Sequence, residues 1–400
     1  MGLGLNLRRR PSPPCLRRPS PLCLHARTRK PPSRAAIQAR ANGDLAQALA
    51  EYNRAVEFDS AYAAACAGRG AAYLAQNQFA AALADLNHAL TLDPNQTEAY
   101  LQRGALFLRQ QQFNRAIDDY TRALERDPQS CAAYLGRAQA YHQIGYLGQA
   151  LLDFNAALAR DPKTARALLG RGEIERDQLA FDDAFTDFTH AIELDPQLAD
   201  AYIGRGTIYA RRNQFVQALS DYTAALKLDT KLVNAYAQRA AAYGALGERD
   251  SQIADLSQVI EQTPQDVTAY VNRATAFKAQ QKFDRAIADY TRAIQLEPKS
   301  LEHYAERARA FREAGQLNEA LADYSKMIEA DAKNAEAFYQ RGQVYGSLGE
   351  RAKALTDFTR AIRLNPNYIT QPLIDPLNVQ FNFGDDVTSD YRQTMQILSR

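Results

Sequence analysis

The sequence has little of what most protein chemistry needs. Histidine occurs five times and cysteine four times in 400 residues. No grouping of His, Cys and carboxylates has the spacing of a metal site. Cys15, Cys23, Cys66 and Cys131 form no C-x-x-C pair and no disulfide framework. The sequence has no P-loop, no G-x-G-x-x-G after a strand pattern and no G-x-S-x-G. Asp118–Asp119 and Asp182–Asp183 are neighbours in sequence, so on a helix they point apart and suit a solvated surface better than acid–base work. No enzyme activity, metal or cofactor is therefore expected. No run of 18 apolar residues occurs, so no membrane-spanning helix is expected. The net charge is +2, unevenly placed. Residues 1–34 carry nine Lys or Arg and no acid, which leaves 39 basic against 46 acidic residues and a balance of about −7 elsewhere. That balance argues against general nucleic-acid binding by the body of the chain.

What the sequence does have is a period. Pro94, Pro128, Pro162, Pro196, Pro264, Pro298 and Pro366 share one 34-residue lattice, with Thr230 and Ala332 at the two points that lack proline. A fixed period of this length marks a repeat array. In the unit 97–130, Tyr100, Gly104 and Phe107 form one apolar stripe. Phe113, Ala116, Tyr120, Ala123 and Leu124 form another, and spacings of three and four put each stripe on one helix face. Glycine inside a helix costs about 1 kcal/mol, so Gly104 implies a neighbour that needs the room. Pro128 ends the second helix.

The pattern Tyr100, Gly104, Phe107, Phe113, Ala116, Tyr120, Ala123 and Pro128 resembles the tetratricopeptide repeat (TPR). It recurs in nine consecutive units: 63–96, 97–130, 131–164, 165–198, 199–232, 233–266, 267–300, 301–334 and 335–368. The resemblance implies an all-α solenoid of helix–turn–helix units wound as a right-handed superhelix. A degenerate unit precedes them: Gly43, Leu45, Ala48, Tyr52 and Ala55 keep the register over 29–62, but Pro31 and Pro32 break its first helix. The array is thus expected to span 35–368. Unit 233–266 fits worst, with Arg249 and Gln252 where others carry an aromatic or Leu and an Ala, and Val259 for a late Ala. The weakest helix packing is expected there. Cys66 stands where other units put Tyr or Leu and reads as a small core residue.

The two ends leave the register. Residues 1–34 are rich in Pro, Arg and Ser and cannot build a core. Three readings stay open: a disordered basic arm, a transit peptide, or sequence upstream of the true start. At the other end, Pro372 and Pro376 stop further helix, and Leu377, Val379, Phe381 and Phe383 alternate like a strand. Tyr391, Met395 and Leu398 suggest a short helix. Residues 369–400 read as a cap over the last apolar face, or as the truncated opening of an OmpA-like, peptidoglycan-binding domain. A cytoplasmic location is expected, with the cell envelope or an organelle as alternatives if either end proves to be a targeting or tethering segment.

Each full unit carries an Arg and, 16 residues later, an Asp: Arg69 and Asp85, Arg103 and Asp119, Arg137 and Asp153, Arg171 and Asp187, Arg205 and Asp221, Arg239 and Asp255, Arg273 and Asp289, Arg307 and Asp323, Arg341 and Asp357. An arginine ladder for an acidic ligand is one reading. Equal numbers of both charges favour the other, structural ion pairs between helices. The Ser, Thr or Asn two places after each Asp, such as Thr121, Thr223 and Thr291, read as local hydrogen-bonding positions.

The resemblance implies that first helices line a concave groove. Its candidate contacts are the apolar row Leu101, Leu135, Leu169 and Ile203, flanked by Arg109, Arg176, Arg211 and Glu173. Such a strip suits an extended or helical peptide, although the same leucines could instead pack on the next unit. The favoured function is a non-catalytic scaffold or adaptor binding a protein segment, of unidentified partner. The alternatives are an envelope-tethered protein and the substrate-selecting part of a larger enzyme. The EEVD tail of heat-shock chaperones is disfavoured. Of the Lys and Asn positions of its carboxylate clamp only Asn272 matches, and Glu302 and Glu306 stand where basic groups are needed.

Overall fold

The computed structural model describes residues 34–370, and the readings of residues 1–33 and 371–400 lie outside them. The described residues contain twenty α-helices and no strand. They fall into two compact units that divide between Leu194 and Asp195.

The first unit opens with helices Arg34–Ala41 and Leu45–Phe58, then holds four helix pairs: Ala63–Ala75 with Phe79–Leu92, Thr97–Arg109 with Phe113–Arg126, Cys131–Gln143 with Leu147–Arg160, and Ala165–Asp177 with Phe181–Leu194. The second unit holds five: Ala199–Arg211 with Phe215–Leu228, Val233–Leu246 with Arg249–Gln262, Val267–Ala279 with Phe283–Leu296, Leu301–Glu313 with Leu317–Ala330, and Ala335–Ser347 with Arg351–Leu364. A 3₁₀ turn, Pro366–Thr370, follows. Every first helix in these pairs starts 34 residues after the last, from Ala63 to Ala335. The opening helix, Arg34–Ala41, is eight residues long.

Local chemistry sets the punctuation. Each pair is joined by a short turn whose middle residue is left-handed. Gly145 has φ +80° at no cost, whereas Leu179, at the same place in its repeat, is held at φ +66°. Between most repeats, an aspartate ends the second helix and turns the chain. Asp93 Oδ1 accepts from the Asn95 amide at 2.9 Å, and Asp127 Oδ1 from the Gln129 amide at 3.0 Å. The following proline, Pro94 or Pro128, prevents the helix from resuming.

The core is built from aromatic rings set on small residues. A Cβ on Gly104 would lie 3.0 Å from the Tyr120 ring within the repeat, and one on Gly136 only 2.2 Å from the same ring across to the next repeat. Gly68 and Gly170 accept Tyr52 and Phe154 in the same way. Cys66 is fully buried in this core, and burial pushes its thiol pKa up. Repeat 233–266 is not the loosest pair. Arg249 donates to the Gly244 carbonyl at 3.0 Å and to Gln252 Oε1 at 3.0 Å, and Leu256 and Val259 are buried. The two helices of 301–334 touch each other less. A polar bridge has taken over the work of the missing aromatic.

Candidate functional site

In the first unit, consecutive first helices touch: 63–75 with 97–109, 97–109 with 131–143, and 131–143 with 165–177. The second helices pack instead on the first helix that follows them. The first helices therefore line the inner side of the stack in this unit. Leu101, Ala105 and Leu108 lie half-buried against the core that contains Tyr100, Phe107 and Tyr120. Leu135 and Leu169 are also half-buried.

The other groove candidates divide. Ile203 is 7 % exposed and belongs to the core of the second unit, with Ala218, Tyr222 and Ala225. It is a packing residue and not a surface contact, because a β-branched side chain there fills the space between helices. Arg109 reaches back to the preceding repeat's turn, donating to the Leu74 carbonyl at 3.1 Å and to Asn77 Oδ1 at 3.2 Å. Arg176 donates to Asp177 Oδ1 at 2.8 Å. Glu173 Oε2 lies 3.7 Å from His142 Nδ1, and burial lowers the His142 pKa. Arg211 is exposed on the second unit.

The repeated arginines form a second system. Arg103 Nε and Nη2 donate to Asp119 Oδ2 and Oδ1, both at 2.7 Å, and Arg137 makes the same fork to Asp153 at 2.7 and 2.9 Å. Arg171 with Asp187, Arg205 with Asp221, and Arg273 with Asp289 repeat it at 2.6–2.8 Å. Each aspartate is buried. These guanidinium groups thus tie the first helix to the second inside a repeat. Most of the Ser, Thr and Asn residues also act between repeats, which extends their reading as local partners; Thr189 and Ser257 do bond locally, to the Phe185 and Ile253 carbonyls at 2.8 and 2.7 Å. Arg103 Nη1 donates to Asn87 at 2.6 Å, Arg137 Nη1 to Thr121 at 3.1 Å, Arg239 Nη1 to Thr223 at 3.1 Å, and Arg307 Nη1 to Thr291 at 3.0 Å. The guanidinium has five N–H donors in a planar fork, enough to hold its own repeat and the preceding one together.

Aromatic rings flank most of these forks. The Arg103 guanidinium carbon lies 5.7 Å from the Tyr100 ring centre and 5.9 Å from that of Phe107, and Arg307 sits likewise between Tyr304 and Phe311. Repeat 165–198 departs from this. Leu168 replaces the first ring, as Cys66 does in repeat 63–96, and Glu175 the second, where every other full repeat has Tyr or Phe. Glu175 Oε1 lies 3.7 Å from Arg171 Nε, and its Oε2 is buried with no hydrogen-bond partner. Burial, helped by the Asp187 charge, raises its pKa to about 7 against the pull of Arg171. The frame made this exception legible: one acid in a column of aromatics.

Neither arrangement gathers catalytic groups. Among the described residues no cluster of three His, Cys, Asp or Glu side chains could hold a metal ion, and no helix is long and apolar enough to cross a membrane. Repeated helix pairs tied together by internal ion pairs define a solenoid scaffold. Tetratricopeptide-repeat models match residues 97–130, 267–300 and 335–368 and residues 145–199, and a TPR-repeat model matches 70–111 and 308–349. Together they take in just over half of the chain. The chain belongs to the tetratricopeptide-repeat family and is a protein–protein interaction scaffold.

The chain is similar to several solved structures. The C-terminal part of a TPR repeat-containing protein from Cytophaga hutchinsonii is 19 % identical, with a TM-score of 0.51 over 59 % of this chain and 98 % of that one. Pseudomonas aeruginosa pilF is 21 % identical, with a TM-score of 0.49 over 53 % of this chain and 97 % of that one. YrrB, described as a TPR protein with an unusual peptide-binding site, is 22 % identical, with a TM-score of 0.40 over 45 % and 92 %. At 19 % identity the likeness to the Cytophaga hutchinsonii protein is one of fold. A comparison with curated proteins gave no match.

Proposed function

We propose that the chain is a non-catalytic scaffold that binds an extended or helical segment of a partner protein along the first helices of its first unit. The observation that carries this is the half-buried apolar row of Leu101, Leu135 and Leu169, one residue per repeat on the inner helices. A row of this kind offers pockets at regular intervals, and the Arg109, Arg176 and Glu173 flanks supply polar contacts at its rim. Arg109 and Arg176 are already held by neighbours, which fixes their position at little further entropic cost on binding. The Arg–Asp forks are spent on holding the repeats together, so they are not offered to the partner. The EEVD tail of chaperones is not the segment proposed, since Glu306 is held by Lys278 and Arg309 where that tail's carboxylates would need cations.

The test is selection of short peptides from a displayed random library on the full chain, followed by affinity measurement with Leu135→Glu and Leu169→Glu together. Ile203 is left alone because it is buried. The selected peptides should lose at least tenfold in affinity for the variant while its circular dichroism stays unchanged. Equal affinity for both proteins would move the binding site off this row.

A further inference from the structure

Repeat 97–130 carries two arginines that its fork does not use. Arg115 and Arg122 lie on the second helix with Asp118 between them, and spacings of three and four put all three on one helix face. All three are exposed. The ion pairs of this repeat run elsewhere: Arg103 to Asp119, Glu125 to Arg126 and Glu98 to Arg40. Among the described residues neither Arg115 nor Arg122 makes an ion pair, and Arg115 Nη1 donates to the neutral Gln112 Oε1 at 2.7 Å. The same places in the other full repeats of the first unit hold Ala81 with His88, Gln149 with Ala156, and Asp183 with His190. The repeat frame there does not need a pair of arginines.

The two arginines meet at one open cavity. It holds about 220 Å³ and is lined by Arg103, Phe107, Arg115, Asp118, Asp119 and Arg122. Aromatic rings set its walls. Phe107 is 3 % exposed, and the guanidinium carbons of Arg103 and Arg115 lie 5.9 and 4.1 Å from its ring centre. Tyr100 stands in the same way between Arg103 at 5.7 Å and Arg122 at 6.0 Å. The rings attract the two outer arginines and hold them at the cavity. A guanidinium has five N–H donors, so each keeps donors for a further acceptor. Charge decides what that acceptor is. Arg103 and Asp119 cancel in their fork, which leaves two arginines against Asp118, a surplus of one positive charge.

We infer that this cavity binds one carboxylate of a partner protein, an Asp or Glu side chain that accepts from Arg115 and Arg122, on a surface separate from the inner row. One carboxylate cancels the surplus charge. A phosphate dianion would exceed it and be repelled more strongly by Asp118. Phe107 and Tyr100 already hold the two arginines, so binding has little left to order. The arginine pair recurs in the second unit as Arg285 and Arg292. The cavity beside Arg285 is lined by Gln281, Lys282, Phe283, Asp284, Ala314 and Gln316, without Arg292, so the two cations do not share it.

The test selects displayed random peptides on the full chain carrying Leu135→Glu and Leu169→Glu, which takes the inner row out of play. Each selected peptide is then measured on the wild-type chain and on Arg115→Gln, Arg122→Gln and Asp118→Asn, with circular dichroism confirming that each variant is folded. The peptides should share an Asp or Glu. Changing it to the amide should cost about tenfold on wild type and much less on either arginine variant. Asp118→Asn should tighten binding, since it removes the one like charge at the cavity; an aspartate that only solvates the helix would leave binding unchanged and count against the site. Tighter binding with phosphoserine in place of the acid would overturn the choice of carboxylate. Displacement of the peptide by an equal concentration of free glutarate would assign the cavity to a small acid and overturn the protein partner. Loss of binding with Arg285→Gln but not with Arg115→Gln would overturn the location. Selected peptides without an acid, or none at all, would overturn the inference and leave the inner row to its own selection on the wild-type chain.

Discussion

Asp119→Ala lowers the stability of the first unit by about 3–5 kcal/mol, the cost of breaking a buried ion pair from one side. The aspartate side chain is only 5 % exposed and accepts both arms of the Arg103 fork. Without it, Arg103 keeps one hydrogen bond, to Asn87 of the preceding repeat, and a charge between two rings with no counter-ion. Glu51→Ala is the control. Its partner Arg54 is 74 % exposed, so that pair contributes ~0–1 kcal/mol. Urea denaturation followed by circular dichroism distinguishes the two. Because each repeat is stabilised chiefly by its neighbours, the Asp119 variant should also show an early phase of unfolding that wild type lacks. Equal midpoints for Asp119→Ala and Glu51→Ala would mean that the forks do not hold the repeats together.

Glu175→Tyr raises the stability of the same unit by about 2 kcal/mol. The change restores the ring that every other full repeat places beside its arginine and removes a buried carboxylate oxygen without a partner. A pH dependence goes with it. The folded-state pKa of about 7 lies above the ordinary value of 4.5, so folding takes up a proton between those values. Wild-type stability is therefore fully present below about pH 4.5 and declines as pH rises through about 7, levelling off above. Glu175→Gln should flatten that contribution and Glu175→Tyr should abolish it. Melting temperatures across pH 5–8 are the check. A wild-type slope identical to that of Glu175→Gln would show that the carboxyl does not titrate in this range.

The architecture was legible because the period is written in residues with no substitute. Proline stops a helix, and glycine or alanine lets rings such as Tyr120 seat against a neighbouring helix. The Arg–Asp forks were legible for a related reason: a constant separation of 16 and matched charges. The same separation links Asn87 to Arg103 and Thr121 to Arg137, so the inter-repeat bonds follow the same spacing in the opposite direction along the chain. Burial within the groove row was harder. Leu101 and Ile203 occupy one column, yet one is half-buried and the other belongs to the core. A column shows which face a residue is on, not how closely the next helix approaches.

The most direct test of the account is hydrogen–deuterium exchange of the full chain with and without a selected peptide. Added protection in helices 97–109, 131–143 and 165–177, with helices 113–126 and 147–160 unchanged, is the result expected of a segment bound along the inner first helices. Protection confined to the second helices would contradict it.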